Sequence, residues 1–560
     1  MVMKQNIKSR IGGHILADQL RVQGVDTVFC VPGESYIALL DGLYQHRDSI
    51  RVITTRHEGA ASNMADAFAK LTGRPGVCLV TRAPGAANAS CGIHTAFQDS
   101  SPVILLIGQV ARSMIDREAF QEIDYRRMYG QMAKWVAQID DAARIPEYIS
   151  HAFHLATSGR PGPVVLALPE DMLSESAVVA DVKPARPVQA SPSQSAIAEL
   201  RRRLQEASKP LMIVGGPTWT AEAVADITRF AEANGLPVST SLRCQDCFNN
   251  RHDNYVGDLG LGVNPKLAER VKASDLLIVA GPRLGKMTTQ GYTLIDIPNP
   301  VQQLVHIHPG AEELGRVYFP DLAINASMPN FAAAARDLET VDGSRWRNWL
   351  EQARKEYLQH IVPTKVPGSV NVGEVVAHLS NTLPEDAIVT VGAGNYTAWV
   401  HRFFQHKRYR TQIAPTSGAM GYSVPAAISA KLTEPRRTVV SFNGDGCFMM
   451  HGQELATAVQ YEAPVIFVIV NNGMLGTIRL HQERNYPDRV IATGLKNPDF
   501  VALAQAYGAY GERVVRTDEF PAAFDRAQSC GRPALIELVV DPEALTPIQT
   551  LSEARAIRGS

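Results

Sequence analysis

The chain has 560 residues, with 55 Lys and Arg against 56 Asp and Glu, a net charge of −1 and 45% hydrophobic residues. Domains usually hold roughly 100–200 residues, so about three are expected. Near-neutral charge argues against nucleic acid or an anionic membrane surface as the main partner, since both call for a basic excess.

The first twenty residues, MVMKQNIKSRIGGHILADQL, hold no apolar signal core and no small-residue cleavage site. No run approaches the roughly 20 apolar residues of a membrane span, so no membrane partner is expected. Seven cysteines at irregular spacing suggest free thiols in a reducing compartment, and a cytoplasmic protein is expected. The single C-x-x-C pair, Cys244 and Cys247, lacks the second half of a zinc site.

Short apolar runs alternate with amphipathic stretches. VDTVFCVPG, IRVITTR, GVCLVTR and PVILLIG come first, then LMIVGG and DLLIVAG, then AIVTVG, TVVSFNG and PVIFVIVNN. Each reads as a buried parallel strand, and EGAASNMADAFAKL and GQELATAVQYE read as helices between strands. The expected fold class is α/β, with doubly wound parallel sheets. Two polar, Pro-bearing segments, roughly 171–197 and 340–371, read as linkers. They divide the chain into domains at 1–180, 190–340 and 370–560, three α/β parts of similar size that allow a fold-level repeat.

The strongest chemical signal is in the last third. TVVSFNG ends in Gly444-Asp445-Gly446, and PVIFVIV ends in Asn471-Asn472, with 24 residues (447–470) between Gly446 and Asn471. Two parallel strands thus deliver oxygen ligands at their carboxyl ends, where open α/β sheets bind ligands. The glycines admit close backbone approach, and a following helix N-terminus favours a phosphate. Asp and Asn oxygens with a backbone carbonyl suit Mg²⁺ that also takes diphosphate oxygens.

That constellation resembles the motif of thiamine-diphosphate enzymes, and the wider chain resembles their acetolactate synthase branch. Supporting stretches include VFCVPGES, RHEGAASNMADAFAKLTGRPGV, EAFQEID, SGRPGPVVLALPEDM and SGAMGYSVPAA. The resemblance implies three domains: pyrimidine-binding, central and diphosphate-binding. It implies that Asp445, Asn472 and Met474 hold Mg²⁺. Glu58, in TTRHEG, is then the acid that bonds a ring nitrogen of the aminopyrimidine and promotes loss of the thiazolium proton. Without that context, Glu58 would only complement a helix dipole. Pro32, Gly33, Gly85, Asn88, Gln109, Gly392, Gly418, Gly444, Gly446, Cys447 and Leu475 are implied to line the cofactor. Met420 would hold it bent, although a Met there also suits ordinary packing. Phe120, Gln121 and Ile478 are implied to line the substrate pocket, with Gln121 also catalytic. The site is implied to form between subunits, in a homodimer or homotetramer.

Four positions depart from acetolactate synthases. Glu34 stands in P-G-E-S where the branch has P-G-G-A; it is either a second acid/base group with a raised pKa or a solvent-facing loop residue. Arg82 replaces a small residue in TRAPG; it binds a substrate carboxylate, pairs with an acidic neighbour, or sits on the surface. His481 replaces a pocket Trp; it shuttles protons or lies on a helix surface. In Pro282-Arg283-Leu284-Gly285-Lys286-Met287, Met287 replaces a second Arg, which leaves pyruvate contact and FAD binding open.

The implied activity is decarboxylation of a 2-oxo acid with carboligation, as in two pyruvates to 2-acetolactate and CO₂. A related donor and acceptor is the alternative: a 2-hydroxy ketone lyase, a plain decarboxylase or a diketone hydrolase acting on aldehydes or ketones. Readings from other classes are a flavin oxidoreductase and an inert homologue kept as a binding subunit. Glu58, Asp445 and Asn472 together argue against the last.

Overall fold

The computed structural model describes residues 8–556, in two compact units that divide after Val188. Each unit is built on parallel sheet, as near-continuous apolar runs separated by helices require.

In the first unit a short antiparallel pair joins β1 (Arg10–Ile11) to β8 (Ser176–Ala177). The main sheet holds β2 (Thr27–Cys30), β3 (Arg51–Thr54), β4 (Gly76–Val80), β5 (Val103–Gln109), β6 (Trp135–Gln138) and β7 (Val164–Pro169), in the order β3-β2-β4-β5-β7-β6. Every residue of β4 and β5 is buried, because helices cover both faces of the sheet centre.

The second unit carries two sheets. The central one holds β9 (Pro210–Val214), β10 (Val238–Ser241), β11 (Tyr255–Leu259), β12 (Leu276–Ala280), β13 (Gln303–His308) and β14 (Leu322–Asn325), in the order β11-β10-β9-β12-β13-β14. The C-terminal one holds β15 (Ile388–Val391), β16 (Gln412–Ile413), β17 (Val439–Gly444), β18 (Ile466–Asn471), β19 (Tyr510–Val514) and β20 (Ala534–Val539), in the order β16-β15-β17-β18-β20-β19.

The three doubly wound domains are therefore present, but they are not three copies of one topology. Counting strands along the chain, the first and last sheets share the order 2-1-3-4-6-5, whereas the central sheet has 3-2-1-4-5-6. The latter is the order of dinucleotide-binding folds.

The segment 340–371 is more than a linker. Helix Arg347–His360 docks on the central domain, with Trp346, Ala353 and Tyr357 buried. Trp346 Nε1 donates to Asn234 O at 3.1 Å, and Trp349 Nε1 donates to Pro210 O at 3.0 Å. The apolar residues recur at helical spacing, but the charges between them depress the average hydropathy of the stretch. Among the described residues, no helix is long and apolar enough to cross a membrane.

Candidate active site

In the first unit, helix Glu58–Thr72 opens four residues after β3, with Glu58 as its first residue. His57 is the cap: its backbone is extended and its Nδ1 accepts the Gly59 N–H at 3.0 Å. An imidazole thus does what Ser or Asp does at most helix starts. The half-buried Glu58 carboxylate is left for other work. Asn88 Nδ2 donates to its Oε2 at 2.9 Å. Its Oε1 lies against Gly85, where a Cβ would sit 3.3 Å away. Gly33 passes closer still to Thr81, with a Cβ there only 2.5 Å from the Thr81 Cβ. Pro32, beside it, is exposed.

Arg82 is buried and spans two carboxylates, donating to Glu34 Oε1 at 2.8 Å and Glu170 Oε2 at 2.5 Å. Of the sequence readings for Arg82, the geometry is that of pairing with acidic neighbours. The Glu34 side chain is 62% exposed. A bond from its own backbone N–H, reinforced by Arg82, holds its carboxyl below the usual range. Of the two sequence readings for Glu34, the geometry is that of the solvent-facing loop residue: burial opposes the shift but does not decide it, because the carboxylate faces solvent and a cation.

Gln109 closes the loop that follows β5. Its Oε1 accepts from Val110 N and its Nε2 donates to Ile123 O, both at 3.0 Å. That loop carries Phe120, 77% exposed, and Gln121, which holds a positive φ of 66°. The Gln121 carbonyl accepts from Ala83 N at 3.2 Å, tying the loop to the helix start beside Arg82.

In the C-terminal domain the helix after β17 begins at Asp445 itself, as Asp445–His451, instead of at the later GQELATAVQYE stretch. Asp445 is 2% exposed. Its Oδ1 accepts from Gly446 N at 2.9 Å, and its Oδ2 from Asn497 Nδ2 at 2.8 Å. Burial pushes its carboxyl up, and these hydrogen bonds oppose the rise without cancelling it. Strands β17 and β18 run side by side with Gly444 opposite Val470, so Asp445 and Asn471 leave adjacent carboxyl ends. Asn471 Oδ1 accepts from Asn497 Nδ2 at 3.0 Å and Gly473 N at 3.2 Å. Asn472 Oδ1 accepts from Met474 N at 3.3 Å. Gly473 holds a φ of 67°, which turns the chain after the Asn pair at no steric cost.

Around this turn the walls are close. A Cβ on Gly446 would lie 2.8 Å from Leu475 Cδ2 and 3.9 Å from Met420 Cε. Cys447 Sγ takes the Tyr396 hydroxyl at 3.3 Å and Gly421 N at 3.1 Å, and the same hydroxyl accepts Gly392 N at 2.9 Å. Gly418, at a φ of 70°, faces open space. On helix Gly476–Asn485, Ile478 is 51% exposed and His481 is exposed.

Three family models match in succession: the N-terminal TPP binding domain of thiamine pyrophosphate enzymes over residues 10–128, their central domain over 197–335 and their C-terminal TPP binding domain over 392–538. The chain belongs to the thiamine pyrophosphate enzymes. It is 32% identical to a probable acetolactate synthase large subunit of Methanocaldococcus jannaschii, with 96% of this chain and 93% of that one covered. It is 31% identical to the acetolactate synthase large subunit of Corynebacterium glutamicum, covering 95% and 87%. It is 30% identical to the acetolactate synthase isozyme 2 large subunit of Escherichia coli, covering 95% of both chains.

In this thiamine pyrophosphate enzyme, three side chains that touch candidate residues, two in the second unit and one in the first, carry no motif signal. Asn497 bridges the two strand ends, Tyr396 satisfies Cys447, and Glu170 shares Arg82 with Glu34. Asn497 stands before a proline and reads locally as a turn residue. Only Glu170, inside the LPEDM stretch, lay within a segment already noted.

Proposed function

We propose that this enzyme decarboxylates a 2-oxo acid and joins the remaining fragment to a second carbonyl compound, with pyruvate to 2-acetolactate as the leading case. The observation that carries this is the pair of strand ends bearing Asp445 and Asn471-Asn472, in a chain similar to acetolactate synthases over nearly its whole length. Bound thiamine diphosphate supplies the carbon nucleophile and the electron sink for such chemistry.

The chain's own residues divide the remaining tasks. Asp445 Oδ, Asn472 Oδ1 and the Met474 carbonyl are hard oxygen donors and fit Mg²⁺. Among the described residues, no group of three or more His, Cys, Asp and Glu could hold a metal. The start of the helix Asp445–His451 would suit a phosphate of the bound cofactor. Glu58, fixed by Asn88, holds or moves a proton at Oε1, where Gly85 leaves room. Pro32, Gly33, Gln109, Gly392, Gly418, Met420, Gly444, Gly446, Cys447 and Leu475 line the cofactor in this reading. Phe120, Gln121 and Ile478 face substrate, and Arg82 fixes Glu34 instead of meeting the substrate carboxylate.

The active enzyme in this reading is a homodimer or homotetramer, with Glu58 of one subunit serving the cofactor held by Asp445 of another. FAD in the central domain is supported by the 3-2-1-4-5-6 strand order, with Gly215, Gly216 and Gly281 at the switch between β9 and β12. Absorbance of the purified protein in the flavin bands tests it. Seven free thiols support a reducing, cytoplasmic setting.

The test is incubation with thiamine diphosphate, Mg²⁺ and a panel of 2-oxo acids, with CO₂ and carboligation products assayed separately. CO₂ with a new C–C bond is expected. CO₂ alone makes the enzyme a plain decarboxylase, and neither product overturns the reading.

A further inference from the structure

The C-x-x-C pair of the central domain takes no part in the site above. After β10, Cys244 N donates to Ser241 O at 3.1 Å, and Cys247 N returns to Cys244 O at 3.0 Å. Cys244 caps the 3-10 turn Gln245–Cys247, and a turn closed by that bond keeps the two Cα atoms within about 7 Å, near the span a disulfide allows. Cys247 is buried, while Cys244 is half-buried. The nearby Cys247 thiol draws the Cys244 thiol below its usual range; burial opposes this, and the Gly216 N–H and Ser241 hydroxyl add to it. The Cys244 thiol and burial push Cys247 up. A half-buried Cys244 beside a buried Cys247 is the arrangement of an entry thiol and a resolving thiol, and the two shifts run the same way.

The same turn grips the C-terminal domain. Arg243, at a φ of 58°, donates to the Pro415 carbonyl. Gln245 N donates to Gln412 Oε1 and Gln412 Nε2 returns to Gln245 Oε1, both at 2.8 Å. The buried Asp246 carboxylate accepts from Thr411 N at 3.0 Å and Gln412 N at 3.2 Å. These partners lie on and around β16, which runs directly into the segment bearing Gly418 and Met420.

We infer that Cys244 and Cys247 form a reversible dithiol–disulfide site, entered at Cys244 by a small disulfide, whose closure resets the segment 411–421. In the first step the Cys244 thiolate attacks one sulfur of a low-molecular-weight disulfide and expels one thiolate. Cys247 then loses its proton, attacks Cys244 Sγ and expels the second. The protein gives up two electrons and two protons, and the oxidant leaves as two thiols. Closure draws the sulfurs to covalent distance inside a turn tied to another domain. The predicted effect on cofactor affinity rests on the cofactor-lining reading of Gly418 and Met420; the bond itself does not.

The full-length enzyme, treated with oxidised glutathione, is examined by peptide mass mapping and by thiamine diphosphate titration in Mg²⁺. A bond joining Cys244 to Cys247, reversed by dithiothreitol, with a severalfold change in cofactor Kd, is expected. Cys247→Ser should trap glutathione on Cys244, and Cys244→Ser should keep its cofactor Kd in the oxidant. In the unmutated protein, pulse alkylation should label Cys244 ahead of Cys247, a readout that needs no variant to fold. Failure to form the bond, glutathione caught on Cys247, or a bond that leaves Kd unchanged overturns the inference. A protein that forms the bond yet binds no thiamine diphosphate in either state sinks the cofactor reading and leaves the dithiol standing.

Discussion

Asn497 donates its side-chain amide to the Asp445 carboxylate at 2.8 Å, across 52 positions of sequence. The same nitrogen donates to Asn471 Oδ1 at 3.0 Å, so one residue spans both strand ends. Burial alone favours a protonated Asp445; the Gly446 N–H first, then Asn497, support the carboxylate that a cation needs.

Asn497→Ala leaves two acceptors without that donor, at a cost of about 1–3 kcal/mol each where buried. It also lets the Asp445 carboxyl rise further. Residues that orient metal ligands typically change affinity ~10–100-fold, and a weakening of that order is expected for Mg²⁺-dependent binding of thiamine diphosphate. A titration matching the parent enzyme would show that Asp445 needs no second residue to position it.

Glu58→Gln keeps the Asn88 hydrogen bond within reach but removes the charge that can hold a proton. Turnover should drop by about 10²–10⁴, the usual worth of a positioned acid or base, with an unchanged melting temperature. Near-normal turnover removes Glu58 from proton transfer. Asn88→Ala should cost less, since it loosens the carboxylate without discharging it.

Asp246 gives a pH signature in stability. Burial raises its pKa from 3.8 to about 6, so the native protein holds the proton more tightly than the unfolded chain. This stabilisation is present at low pH, declines as pH climbs from 3.8 to about 6, and stays lost above. Over roughly two pKa units the decline is about 3 kcal/mol. In urea melts, Asp246→Asn should gain on the parent across that window as pH rises. A constant difference between the two proteins would sink the assignment.

Glu34 should be ionised throughout the neutral range, because its carboxyl lies below the usual values. Glu34→Gln is expected to leave the positions of both limbs of the pH–rate profile unchanged. A displaced limb would return Glu34 to the role of proton carrier. A changed product ratio with an unmoved profile would make it a residue that only shapes the acceptor pocket.

Trp346 is 1% exposed and donates to the carbonyls of Asn234 and Gly235 at 3.1 and 3.0 Å. Trp346→Ala should cost about 3–5 kcal/mol, as large core truncations do. Calorimetry decides between this and a linker role, for which no loss is expected.

Much of the fold was legible because parallel strands buried on both faces leave unbroken apolar runs. β4, β5, β9, β12, β17 and β18 each stand out that way. β19 did not: most of it is only half-buried at the sheet edge, and its composition is mixed. Helix Arg347–His360 was hidden for a related reason. A single buried stripe in a charged stretch barely moves the composition.

Gly444-Asp445-Gly446 and Asn471-Asn472 were readable in one dimension because β17 and β18 are consecutive and adjacent, so chain spacing translates directly into spatial spacing. Local pattern likewise carried the α/β class and the helix that begins at Glu58. It could not carry the placement of Asn497, the sharing of Arg82 between Glu34 and Glu170, or the different strand order of the central sheet. Those rest on contacts between residues tens of positions apart. A hydrogen bond of that kind imposes no period and no composition on the chain between its ends, so only the closed fold reveals it.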